Sequence, residues 1–257
     1  MQLADFAFNW SLMGAPLAAG LLVVSTHVLM GRRVLERGII FIDITIAQMA
    51  AFGVIVASAL DLTDLEGHGF SAQVAAGVSA IAAAALLSWT EKRATDLQEA
   101  LIGSLYVVSA SAAVLVLAHN PHGSEHIQEL LAGQILWTGW SALWPIAILY
   151  AAILLVWFLW ARKVPAAFYF LFALVVMASV QLVGVYLVFA TLILPALAAS
   201  GLPEKRGLPV GYAVGALGYG LGLWLSVPFD LPAGPFVVCV LATLALITAA
   251  LRRWVIR

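Results

Sequence analysis

Charge is what this sequence has least of. Only 10% of its 257 residues are Asp, Glu, Lys or Arg, whereas 64% are hydrophobic, and the mean hydropathy is +1.06. Soluble domains carry about a quarter charged residues, so composition alone excludes a water-soluble globule. Cysteine is almost missing as well. The single Cys239 excludes a disulfide within the chain and any thiolate cluster. No glycine-rich nucleotide loop, soluble domain, internal repeat or low-complexity linker is legible, so any use of ATP would fall to another subunit.

What the chain has in abundance is apolar sequence. Runs long enough to cross roughly 30 Å of hydrocarbon cover about 11–31, 38–60, 71–90, 101–118, 139–160, 165–182, 184–200, 208–227 and 234–251. Helices satisfy their own backbone hydrogen bonds in lipid, so the expected fold is an all-α polytopic transmembrane bundle of eight or nine spans, one domain over 1–257. The first apolar run has no basic n-region and reads as a first span rather than a signal peptide. Phe168 to Ser200 is too long for one ordinary span and has basic flanks at both ends, so a hairpin broken near Gly184 is expected there.

Threading these spans puts every Lys and Arg on one side, from Arg32, Arg33 and Arg37 to Arg252, Arg253 and Arg257. The positive-inside rule makes that side the cytoplasm, with the N-terminus outside and the C-terminus inside, as in a multi-pass protein of a prokaryotic plasma (inner) membrane. The other side receives Asp61, Asp64, Glu66, His68, His119, His122, Glu125, His126, Glu129 and Asp230, a non-basic face that attracts cations.

Within "HNPHGSEHIQELLAGQILW", Asn120 and Pro121 read as a helix start, which places His122, Glu125 and His126 at i, i+3 and i+4 on one face. Two imidazoles and a carboxylate so placed can ligate Zn²⁺, or Mn²⁺ with more oxygen donors. The same letters spell the H-x-x-E-H of inverzincin proteases. The bland alternative is a solvated helix tip with Glu125 at its N-terminus.

Inside the membrane, Asp43 is the one acid well within a span, at a cost of ~3 kcal/mol on insertion scales. His27 lies in the preceding span, and Gln48 follows Asp43 five residues on, on a different helix face. These residues read either as a polar path or, for Asp43, as a cap or partner of a basic residue of the inner loop. Gly211/Gly215 and Gly218/Gly222 form small-xxx-small frames suited to packing within the chain or to a homodimer contact. Trp137, Trp140, Trp157 and Trp160 read as interfacial anchors.

Five segments, in order over 31–240, resemble the permease subunits of zinc/manganese ABC importers of the ABC-3 type. "VLERGIIFIDITIAQMAAFGV" is similar to that family's L-R-G-M-A-F-I-G-D-A-L-A-H…G-V at Arg37, Gly38, Phe41, Ile42 and Gly53. "EALIGSLYV", "IQELLAGQIL", "VGVYLVFATLILPALAA" and "DLPAGPFVV" resemble its other segments. The resemblance implies a permease that performs no bond chemistry, holds no permanent cofactor and carries Zn or Mn. A cytoplasmic ATPase, an extracytoplasmic metal-binding protein, membrane lipid and a second permease copy would be its partners, with no role for nucleic acid. Two departures stand out. The family's intramembrane Asp and His positions are Ile44 and Gln48 here. The cytoplasmic segment that docks the ATPase is shortened after Trp160 to "ARKVP", with Arg162 and Lys163 as its charged residues. His122, Glu125, His126, His27, Asp43 and Gln48 are then expected to line a different cation route. A membrane metallopeptidase built on His122, Glu125 and His126, and a non-transporting membrane partner, are the alternatives.

Overall fold

The computed structural model describes residues 10–60, 62, 70–91, 93, 97–117, 135–161, 164–229 and 231–255. Among them the chain is helical without strands: α1 (Trp10–Arg37), α2 (Ile42–Ala59), α3 (Phe70–Glu91), α4 (Gln98–Leu117), a short 3₁₀ turn at Ile135–Trp137, α5 (Trp140–Leu159), α6 (Pro165–Val183), α7 (Val185–Ala198), α8 (Glu204–Ser226) and α9 (Ala233–Val255). Each apolar run in the sequence has become one helix. Eight of the nine are long and apolar enough to cross a membrane. The exception is α7, whose 14 residues reach only about 21 Å at 1.5 Å per residue.

The break between α6 and α7 falls at Gly184, as the apolar run predicts. Its φ of +80° suits glycine and interrupts the helical run before α7. The first helix outlasts its apolar run. Arg32 and Arg33 both pair with Glu36, at 3.3 and 3.2 Å, and so carry the helix past the hydrocarbon to Arg37, after which Gly38 (φ +69°) ends it.

The chain forms two compact units. The first comprises residues 1–37, 132–151 and 182–257. In it α7 is enclosed by α1, α8 and α9, with Leu187, Val188, Leu192 and Ala198 fully buried. Glycines set the spacing. A Cβ on Gly211 would stand 2.7 Å from Val28 of α1, and one on Gly215 2.9 Å from Val24; Gly222 meets Val237 of α9 at 2.6 Å. Small residues let helices approach where lipid offers no hydrophobic drive for association. Gly211 and Gly215 are thus buried against α1 and serve packing within the chain.

The second unit comprises 38–131 and 152–181. There α2 lies against α3 and α4. Its α3 presents a stripe of Ala72, Ala76, Ala80, Ala83 and Ala84, and a Cβ on Gly53 of α2 would stand 2.7 Å from the Ala75 carbonyl. Trp157 belongs to this core and is not an interfacial anchor: it is 5% exposed and meets Phe168 edge-on at 6.4 Å. Trp137, Trp140 and Trp160 are exposed, as anchors require. The connection from α5 to α6 is only residues 160–164, tightened by the Val164 N–H donated to the Ala161 carbonyl at 3.0 Å.

Candidate functional site

His119, His122, Glu125 and His126 lie outside the described residues, as do Arg162 and Lys163. The intramembrane residues are described. His27 of α1 is completely buried in the first unit. Its Nδ1 lies 2.9 Å from the Val23 carbonyl, which can only accept, so that nitrogen carries the proton. Thr26 Oγ1 stands 3.2 Å from the same nitrogen.

Asp43 sits in the second unit, in the first turn of α2. It is 1% exposed, and neither carboxylate oxygen has a hydrogen-bond partner among the described residues. The positive end of the helix dipole offsets part of that charge. Nothing else described would compensate a charge there, so a carboxyl this desolvated needs either a proton or a cation beside it. Gln48 is half-buried on the same helix, as is Ile44. Among the described residues no group of three or more His, Cys, Asp and Glu side chains could hold a metal.

The remaining polar contacts tie helix ends together, and sequence reasoning missed them. Glu99, in the first turn of α4, accepts the Phe41 N–H at 3.3 Å and so caps α2 from another helix. Thr45 Oγ1 lies 3.1 Å from the Ile102 carbonyl. Gln98 donates to the Leu87 carbonyl at 2.9 Å, accepts from Thr90 at 3.0 Å and reaches Tyr169 at 3.5 Å, joining α3, α4 and α6. In the first unit, Thr191 of α7 and Tyr219 of α8 share a buried hydrogen bond of 2.9 Å.

The turn from α7 to α8 is held most tightly. Arg252 of α9 donates to the Ala198 and Ser200 carbonyls at 2.6 Å each, and Arg32 of α1 donates to the Leu202 carbonyl at 2.8 Å. Helix C-termini leave carbonyls unsatisfied, and guanidinium groups answer both their hydrogen bonds and the negative dipole end. Gly201 makes the turn with φ +74°. Gly207 lets the first turn of α8 close over Arg32, whose guanidinium any Cβ there would strike. Sequence spacing could not reveal partners 170 and 54 positions apart.

A bundle of this order, with a short broken helix between α6 and α8, can be compared with known proteins. Residues 9–170 and 161–252 match the ABC 3 transport family. The chain belongs to that family. It is an ABC-3-type permease by fold as well. A chain of PsaBC from Streptococcus pneumoniae in complex with Fab superposes with a TM-score of 0.73 at 20% identity, covering 96% of this chain and 95% of that one. An inward-facing conformation of a metal-chelate type ABC transporter gives 0.67 at 17% identity, over 92% and 85% of the two chains. The uncharacterized membrane protein slr2045 of Synechocystis sp. is 24% identical over 271 residues, 96% of this chain and 93% of that protein.

Proposed function

We propose that this ABC-3 permease forms the membrane pathway of an importer for a divalent transition metal, zinc or manganese, in a prokaryotic inner membrane. A separate cytoplasmic ATPase supplies energy, and an extracytoplasmic binding protein delivers the ion. The permease makes and breaks no covalent bond, so it is not an enzyme. The basic helix ends face the cytoplasm in this reading, and the acidic, histidine-bearing segments face outward.

The observation that carries the cation reading is Asp43. A carboxylate buried in a membrane-spanning helix with both oxygens unpartnered among the described residues costs several kcal/mol, and a cation in transit supplies the missing counter-charge. His27 and Gln48 are the other intramembrane candidates, and His122, Glu125 and His126 the candidates at the outer mouth. Nothing observed favours the metallopeptidase reading.

The test is accumulation of radioactive Zn²⁺ and Mn²⁺ by cells expressing the chain with its ATPase, against Asp43→Asn. Uptake of one metal that falls about tenfold in the variant supports the proposal. Uptake equal in the two strains counts against it.

A further inference from the structure

The geometry points to a phospholipid site on the second unit: Arg93, stacked on Trp89 at the end of α3, holds the phosphate of an anionic lipid, and the outer stripe of α3 takes its acyl chain. The site is independent of what the pathway carries.

Helix spacing makes the stripe. Val74, Val78, Ala82, Leu86 and Trp89 recur every three or four residues of α3 and are all exposed, while Ala76, Ala80, Ala83 and Leu87 on the other side are buried. From Val74 to Trp89 the stripe runs about 22 Å at 1.5 Å per residue, most of the roughly 30 Å depth of the hydrocarbon. Trp89 therefore falls near the boundary, where indole rings settle.

Arg93 stands one turn further on and is brought back over the same face. Its N–H donates to the Thr90 carbonyl at 2.9 Å, and its guanidinium carbon lies 4.2 Å from the centre of the Trp89 ring. Among the described residues this guanidinium has no ion pair and no hydrogen bond. Stacking on an indole uses the flat face of the group and leaves its N–H edge open to grip two oxygens of a phosphate. The platform is also stiff. Gln98 of α4 donates to the Leu87 carbonyl at 2.9 Å and accepts from Thr90 at 3.0 Å, so the backbone on both sides of Trp89 is tied down.

The charges in the neighbourhood agree. Lys92 precedes Arg93 in the sequence. The nearby acid, Glu91, is half-buried and follows Trp89 by two residues, about 200° round the helix and off this face. A zwitterionic headgroup would bring its own ammonium against the guanidinium; an anionic one brings only the complementary charge. In the orientation proposed above, this end of α3 lies in the cytoplasmic leaflet, whose surface potential is negative. A soluble anion could meet the guanidinium but would leave the apolar stripe unused.

The experiment gives the full chain, purified in detergent, phosphatidylglycerol or phosphatidylcholine with a photoreactive group on one acyl chain. Lipid bound covalently to the α3 peptide is then quantified by mass spectrometry. The variants are Arg93→Gln, Arg93→Lys, Trp89→Leu and, as a control, Arg206→Gln, which removes an exposed charge from α8. Phosphatidylglycerol should label α3 of the natural chain about fivefold more than α3 of Arg93→Gln. Arg93→Lys and Trp89→Leu should fall between, and Arg206→Gln should match the natural chain. Unlabelled phosphatidylglycerol should compete, and inorganic phosphate should not. A preference of the natural chain for phosphatidylglycerol over phosphatidylcholine that fades at high salt reads the same site without any variant. Equal labelling by the two lipids, or equal labelling of Arg93→Gln, would mean ordinary solvation by bulk lipid and overturn the site. An equal loss in Arg206→Gln would reduce it to general surface charge. Competition by inorganic phosphate, or a co-purified protein that shields Trp89 and Arg93 from lipid, would assign the pair to a different ligand.

Discussion

Arg252 and Ala198 lie 54 residues apart in sequence and 2.6 Å apart in space, guanidinium to carbonyl. Together with Arg32 on Leu202, this contact converts the C-terminal end of a short helix into a fixed corner.

Removing it has a measurable cost. Arg252→Met leaves the partly buried Ala198 carbonyl and the exposed Ser200 carbonyl without their donor, a loss of about 2 kcal/mol carried mainly by the first. The melting temperature of the detergent-purified chain should fall, and Arg252→Lys, with charge but no fork, should fall between the two. An unchanged melting temperature in Arg252→Met shows that water replaces the guanidinium.

Asp43→Asn separates stability from function. Asparagine removes the cost of burying or protonating an unpaired carboxylate, while the favourable dipole term lost is only about 0.3–1 kcal/mol. The variant should therefore melt at or above the temperature of the natural chain while accumulating less metal, a trade expected where a strained group is kept for activity. A sharp drop in melting temperature instead assigns Asp43 a structural partner.

Glycines of α8 divide by what faces them. Gly215→Leu drives a side chain into Val24 and should abolish folded yield, because overpacking a tight helix contact forces backbone shifts. Gly220→Ala meets nothing within 4 Å and should raise stability by up to about 1 kcal/mol through helix propensity. Size-exclusion yield and melting of the two variants decide the matter.

Gln98→Leu cuts the tie among α3, α4 and α6. It removes the amide bonds to Leu87 and Thr90, and because Thr90 Oγ1 still donates to the Leu87 carbonyl at 3.0 Å the cost is about 1 kcal/mol. Limited proteolysis should show faster cleavage near residues 92–97 in the variant. Equal rates would remove Gln98 from any structural role.

By itself the sequence determined where the helices lie, that the long apolar run breaks at Gly184, and that the link from α5 to α6 is short. These follow from quantities local to the chain: apolar length against membrane thickness, charge against desolvation, and glycine's access to positive φ. Only the tertiary structure decided that Gly211 and Gly215 pack against α1, that Trp157 is core, that Glu99 caps α2, and that Arg32 and Arg252 hold one turn. In lipid the outward face of a helix is as apolar as its buried face, so no periodicity in the sequence marks which side meets a neighbour. Hydrogen bonds between residues far apart in the chain leave no spacing to read, and their existence follows from which helices the fold sets side by side.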